Sequence, residues 1–281
     1  MLKLTISACV PTLNNFDTLE SVLTSISGQT YSIDRISVFD DGSSASISEI
    51  CNSAGVRYES SDSTKGRGFV RNHFVEDSTT DLVLFCDATN KIPATFVELA
   101  VPHFTDPSVA AVSGQIANDP TMVGTVASWR SRQLFKSEFD FGTAAHEASS
   151  LTTYGTILRK SAVMEVGNFD PALKHSEDRE LGVRLMNAGY KIIGDPALIV
   201  YSIKKDSIFS VLERYWRWYG GINESMSLRA YCHAIKASFR PMIEQDLKNG
   251  DWGSALISLL CPHFGFFRSK YRRITGKAQS G

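Results

Sequence analysis

Along the first 115 residues, short unbroken apolar runs alternate with stretches of helical period. Thr5 to Val10 reads as a strand that Pro11 ends. Asp17-Thr18-Leu19-Glu20 has capping-box chemistry, and Leu19, Val22, Leu23 and Ile26 then recur at helical spacing as far as Gly28. Ile36 to Phe39 predicts a second strand, which runs straight into the turn Asp40-Asp41-Gly42-Ser43. A polar helix over 45–54, a short strand at 56–58 and a helix over 69–75 follow. Leu82 to Cys86 is a fully apolar strand with Asp87 at its end, and Ala110 to Ser113 is a further strand. Strands that are apolar throughout and joined by helices imply an α/β fold, with a mostly parallel central sheet and helices on both faces.

Open parallel sheets bind ligands at the carboxyl ends of their strands. Val10-Pro11-Thr12, Asp40-Asp41 and Asp87 are therefore expected to converge on one crevice. The middle of the chain predicts a helix over 120–140, a small-residue loop over 142–153 and a strand over 155–159. A helix from about Glu177 has Ser176 as its N-cap and Gly189 as its terminator. From residue 206 the pattern is helical and richer in Trp, Tyr, Arg and Lys. This sets a boundary near 205, between a domain over 1–205 and a C-terminal helical extension over 206–281.

Composition supports a globular chain. Of 281 residues, 43% are hydrophobic, enough for a sizeable core and against wholesale disorder. The net charge of -1 speaks against non-specific nucleic-acid binding. That near-neutrality is a cancellation. Residues 1–200 carry 16 Lys and Arg against 24 Asp and Glu, while residues 201–281 carry 13 against 6. Ala255 to Phe267 is apolar and is followed by Arg268, Lys270, Arg272, Arg273 and Lys277. This juxtaposition suggests peripheral attachment to an anionic membrane surface, and a buried packing helix with a solvated basic tail is the alternative. Attachment would admit a lipid-linked acceptor. No run approaches the ~18 apolar residues of a spanning helix, and the N-terminus is too short in apolar residues for a signal peptide. The five cysteines form no CxxC pair. Together these predict a reduced, cytoplasmic protein, with the inner face of the membrane as its place if the basic tail attaches.

Seven motifs, in order along residues 4–221, resemble the family-2 glycosyltransferases. They are Cys9-Val10-Pro11-Thr12-Leu13-Asn14, then Ser25-Ile26 with Gln29-Thr30-Tyr31, then Phe39-Asp40-Asp41-Gly42-Ser43. Gly66, Gly68, Arg71 and Asn72 follow, then Phe85-Cys86-Asp87-Ala88-Thr89, Gly167-Asn168-Phe169-Asp170, and Glu177-Asp178 with Leu181, Arg184, Leu185 and Gly189. The resemblance implies the A-type nucleotide-sugar transferase fold and an inverting, single-displacement transfer to a hydroxyl in glycan or polysaccharide assembly. The donor it implies is a nucleotide sugar, a UDP-sugar foremost. It places Pro11, Thr12, Asn14, Asp40, Asp41, Lys65, Arg71 and Asp87 around the donor. Asp178 becomes the base that deprotonates the acceptor, with Glu177 beside it. His175 becomes an acceptor or leaving-group contact, as do Arg214 and Trp218, which lie in a segment loosely like the family's Arg- and Trp-bearing closing segment.

The resemblance breaks at the metal. The family's Asp-x-Asp position reads Asp87-Ala88-Thr89, and Ser202 stands where many members carry a histidine ligand. Asp87 is thus left as the one family ligand for Mn or Mg, and neutral hydroxyls are poor substitutes on such ions. Three readings stay open. A metal is held weakly through Asp87 and the donor diphosphate; cations such as Lys65, Arg67, Lys204, Lys205, Arg214 or Arg217 stabilise the leaving group instead; or the protein is a non-catalytic nucleotide-sugar-binding subunit. A nucleotidyltransferase of related fold is disfavoured by the acidic helix at 177–188.

Overall fold

The computed structural model describes residues 3–136, 143–219 and 226–275. In chain order the elements are β1 (Ile6–Thr12), α1 (Phe16–Ser27), β2 (Arg35–Asp40), α2 (Ser48–Ser53), β3 (Arg57–Ser60), α3 (Arg67–Asp77), β4 (Leu82–Cys86), β5 (Asn90–Lys91), α4 (Phe96–Ala100) and β6 (Val109–Asn118). There follow α5 (Thr125–Trp129), β7 (His146–Glu147), β8 (Gly155–Arg159), α6 (Lys160–Glu165), α7 (Glu177–Asn187) and β9 (Lys191–Ser202). The last are α8 (Ile208–Tyr219), α9 (Leu228–Ala237), α10 (Glu244–Lys248) and α11 (Trp252–Thr275).

The strands form one sheet in the order β3-β2-β1-β4-β8-β6-β9-β5, with β7 added on β9. β3, β2, β1 and β4 are mutually parallel. Beyond β4, β8 pairs antiparallel with both β4 and β6, and β9 pairs antiparallel with β5 and β7. The expected parallel sheet is thus realised in the four strands that carry the N-terminal motifs, and an antiparallel half extends it. A run of apolar residues records two covered faces, not strand direction, so nothing in the pattern marks β8 as running against its neighbours.

Alternation along each strand divides the core. Ile6, Ala8, Val10, Leu82 and Leu84 face Leu19, Leu23 and Ile26 of α1. Cys9, Val83 and Phe85 point the other way, towards Val70 and Phe74 of α3 and Leu181 and Leu185 of α7. Helices on both faces bury both sets, as the continuous apolar runs require.

Three local expectations are corrected. α1 begins at Phe16, and Asn15 holds its N-cap position without a side-chain capping bond. Asp17 therefore lies within the first turn and the capping box does not form. The chain turns earlier because Asn14 takes a left-handed φ of 55°. Ser176 does precede α7, but in the left-handed conformation and without a capping bond. Glu177, Asp178 and Glu180 instead meet the positive end of that helix. The helix expected over 120–140 is reduced to α5 and a π-helical turn over Arg130–Leu134, and its end falls outside the described residues.

The chain divides into two compact units, Met1–Ala117 with Phe141–Lys204, and Asn118–Asp140 with Lys205–Gly281. The first holds the sheet. The second is helical and is built around buried ion pairs. Arg130 reaches Asp206 at 2.8 Å, and Asp206 also receives Arg214 at 3.2 Å. Arg132 reaches Asp246 at 3.0 Å, and Ser258 of α11 donates to the same carboxylate at 2.6 Å. Among the described residues no helix is long and apolar enough to cross a membrane.

Candidate active site

The carboxyl ends of β1, β2 and β4 lie side by side in the sheet unit, because β1 pairs in register with both neighbours. Thr12 is the register partner of Asp40, and Asp41 continues the ladder by donating its N–H to the Thr12 carbonyl at 2.9 Å. Pro11 is half-buried beside Phe39. Thr12, Asp40 and Asp41 are buried. Asp40 Oδ1 accepts the Ser43 N–H at 2.9 Å and also the Ser43 hydroxyl, the local bonding expected of an Asp-led turn. Asp41 accepts the Lys65 N–H at 2.7 Å and the Gly66 N–H at 3.0 Å, and so ties the loop before α3 to the end of β2. Asn14 joins the same rim. Its N–H donates to Ser43 Oγ at 2.8 Å, and its Oδ1 accepts the Ser44 N–H at 2.9 Å.

Gly68 explains the glycine-bearing loop. A Cβ there would lie 2.1 Å from the Asp170 carbonyl oxygen and 2.5 Å from that of Leu173. Its N–H donates to the Leu173 carbonyl at 2.9 Å. Only glycine allows the first turn of α3 to meet the 170–173 segment, which leads directly into Glu177 and Asp178. Asn72 strengthens the contact by donating to the Phe169 carbonyl at 2.8 Å.

The centre of the arrangement is Arg71, on α3. One guanidinium nitrogen is bonded to Glu177 at the start of α7, and the other lies 3.2 Å from Asp87 at the end of β4. The Arg71 and Glu177 side chains are 3% and 2% exposed, while that of Asp87 is 37% exposed. Arg71 Nε and Glu177 Oε2 are buried without a hydrogen-bond partner. Burial pulls the Arg71 guanidinium below its ordinary value, Asp87 and Asp178 push it back up, and neighbouring Arg67 pulls it down. The guanidinium remains charged. Asp178 is half-buried, and Thr153 Oγ1 approaches its Oδ2 at 3.5 Å.

Arg71 therefore brings Asp87 and the Glu177-Asp178 pair to one place. Lys65 joins the rim through its backbone, and its side chain is exposed. His175 is exposed on the turn before α7. Arg214 and Trp218 belong to the helical unit. There Arg214 pairs with Asp206, and half-exposed Trp218 packs against Phe135 with ring centres 6.1 Å apart. Sequence reasoning missed Thr153, which sits at the end of a small-residue loop with no local signature. It also missed Ser43 as the residue that fixes Asp40, although an Asp-x-x-Ser turn carries that signal. A separate surface cavity, lined by Ser27, Asp34, Arg35, Gly55 and Arg57, sits at the opposite ends of β2 and β3.

The residues around Asp87 do not fit a metal held by the protein. The pairing of Asn90 with Ser202, and the Ile203 N–H donating to the Thr89 carbonyl at 2.9 Å, set Thr89 and Ser202 next to each other. Their backbones are neighbours, and both side chains are neutral hydroxyls, so neither position supplies a carboxylate or an imidazole. Asp87 is one carboxylate already engaged by a guanidinium, whereas Mg²⁺ and Mn²⁺ favour several hard, anionic oxygens. Among the described residues no three His, Cys, Asp or Glu side chains converge as a metal site.

Comparison with known proteins agrees with this layout. The chain is 26% identical over 233 residues to the pre-mycofactocin glycosyltransferase of Mycobacterium tuberculosis, covering 80% of this chain and 48% of that protein. It is 22% identical over 236 residues to the poly-beta-1,6-N-acetyl-D-glucosamine synthase of Staphylococcus aureus, covering 82% and 57%. The chain thus spans about half the length of these curated relatives. Among solved structures it resembles S. aureus TarS 1-349 in complex with UDP-GlcNAc, with a TM-score of 0.58 and 17% identity over 97% of this chain and 76% of that one. It also resembles a Pyrobaculum calidifontis mannosyltransferase in complex with GDP-Man and Mn²⁺, with a TM-score of 0.57 and 13% identity over 99% and 77%. These likenesses give the fold, that of the A-type nucleotide-sugar transferases. The family model for "Glycosyl transferase family 2" matches residues 7–167, a span that runs from β1 through Asp40, Arg71 and Asp87 to the turn after α6, and the chain therefore belongs to glycosyl transferase family 2.

Proposed function

We propose that the protein is an inverting glycosyltransferase that moves a sugar from a nucleotide-sugar donor, a UDP-sugar foremost, to a hydroxyl of a glycan or lipid-linked acceptor. Residues 1–205 are the transferase domain in this reading, residues 206–281 its helical extension, and the cytoplasm its place of action. The observation that carries the reading is the Arg71 bridge, which ties the carboxylate ending β4 to the acidic start of α7.

The chemistry follows from those positions. Pro11, Thr12, Asn14 and Asp40 form the nucleoside rim, and Asp41 shapes it by holding the Lys65-Gly66 backbone. Asp178 removes the acceptor proton as the acceptor oxygen attacks the anomeric carbon and the bond to the diphosphate breaks. Glu177 is buried and paired with Arg71, and so positions α7 beside Asp178. Charge on the departing diphosphate is met by the exposed side chains of Lys65 and Arg67, on the loop and first turn next to Arg71. His175 is left as an acceptor contact. Thr89 and Ser202 favour one other reading, a nucleotide-sugar-binding subunit that has lost catalysis.

Asp178→Asn separates the two. Loss of a general base lowers turnover by about 10²–10⁴-fold, while UDP binding measured by calorimetry stays unchanged. A variant that keeps more than about a tenth of wild-type transfer removes Asp178 from the role of base. A wild-type protein that binds UDP-sugars and turns over none of them is the binding subunit.

A further inference from the structure

α11 is built inside out. Its buried face consists largely of small residues, including Ser254, Ala255, Ser258, Cys261, Gly265 and Ser269. The buried serines are used internally. Ser258 bonds Asp246 and receives the Trp129 indole N–H at 2.8 Å, and Ser254 donates to Asp251 at 2.7 Å. Ile257 is buried among them, but five other large side chains of the helix point outward. Trp252 is 77% exposed and Phe267 is 69% exposed, and Leu256, Leu260 and Tyr271 are exposed between and beyond them. Their spacings of four, four, seven and four residues put all five on one face of the helix, within about 100° of arc, in two patches separated by His263, which is bonded to Tyr231 of α9 at 2.6 Å. A helix packed only against its own fold shows the reverse arrangement, and an exposed apolar stripe of this length marks a contact with another apolar phase.

Charge identifies that phase. From Trp252 to the last residue the sequence has no Asp or Glu and carries Arg268, Lys270, Arg272, Arg273 and Lys277 in its last fourteen residues; of these, Arg268 is paired with Glu213 of α8 at 2.9 Å. An apolar stripe on a segment whose sequence is basic and free of anions complements an anionic bilayer surface, with the indole and phenol rings suited to the headgroup level. A second copy packed parallel would bring two basic ends together, and the oligomeric state tests the antiparallel arrangement. We infer that α11 lies flat on an anionic membrane surface through Trp252, Leu256, Leu260, Phe267 and Tyr271, and so holds the protein at the face where lipid-linked acceptors are found. The docking surface stands whether or not the catalytic reading does.

The test is co-sedimentation of the full chain with vesicles of phosphatidylcholine alone or with phosphatidylglycerol at about 30%. Wild type is expected to bind the mixed vesicles and to bind the neutral ones at least about tenfold more weakly, since each basic residue near an anionic surface contributes about fivefold. The triple variant Trp252→Ser/Leu256→Ser/Phe267→Ser is expected to lose at least about tenfold on mixed vesicles. UDP binding in both proteins, measured by calorimetry, reports the folded state and the donor site separately. Wild type that ignores mixed vesicles overturns the inference, as does a triple variant that binds them equally well. A dimer in solution that the triple variant dissociates assigns the stripe to a second copy and overturns it too.

Discussion

Arg71→Met removes the charge that holds Asp87 and Glu177 together while keeping most of the side-chain volume. The two carboxylates respond differently. Asp87 is 37% exposed and regains water. Glu177 is 2% exposed and is left as an unpaired charge inside the sheet unit. Breaking a buried ion pair by removing one partner costs about 3–5 kcal/mol. At about 2–4 °C per kcal/mol for a unit of this size, the expected fall in midpoint is roughly 10 °C. Thermal and urea unfolding at pH 7, followed by circular dichroism, measure it. The double variant Arg71→Met/Glu177→Leu should recover most of the loss, because a well-packed apolar pair can replace a buried ion pair at little net cost. Glu177→Gln alone should cost less than Arg71→Met, since Arg71 keeps Asp87. The reasoning is refuted if Arg71→Met loses less than about 1 kcal/mol, or if the double variant is no more stable than the single one.

Two further outcomes follow from the described geometry. Transfer measured with excess EDTA should stay within about threefold of the untreated rate, because Thr89 and Ser202 supply no anionic ligand beside Asp87; complete loss restored by Mn²⁺ would show that Asp87 and the donor suffice to hold an ion. Ser108 and Lys191 hold the Asp106 carboxyl down at about 2, below its ordinary 3.8. A lowered carboxyl stabilises the fold above its unfolded value and loses that contribution as pH falls through the folded one. Asp106→Asn should therefore be less stable than wild type at pH 6, with the gap closing between pH 4 and pH 2 in acid titrations. A gap constant across that range excludes Asp106 as its source.

The sequence by itself determined most of the elements and the identity of the chemical groups. β4 was legible to the residue, because an unbroken apolar run needs two covered faces, and β8 was legible as a short strand about Ile157 and Leu158. The ends of β2 and α7 were legible because Asp40-Asp41-Gly42-Ser43 and the acidic Glu177-Asp178 mark a turn and a helix start through local bonding and the helix dipole. The start of α1 was not, since the left-handed turn at Asn14 outcompeted an Asp17 cap that looked favourable in isolation.

Tertiary structure decided everything that depends on two distant segments meeting. Strand direction beyond β4 is set by pairing partners, and apolar pattern is blind to it. Gly68 owes its necessity to carbonyls a hundred residues away. The bridge from Asp87 through Arg71 to Glu177, the approach of Thr153 to Asp178, and the backbone pairing of Asn90 with Ser202 all join groups whose separation along the chain carries no local signal. The same holds for α11. Its composition announced an apolar helix with a basic end, but which face the fold covers was fixed only when the Asp246 and Asp251 carboxylates claimed its serines and left Trp252, Leu256, Leu260, Phe267 and Tyr271 outside.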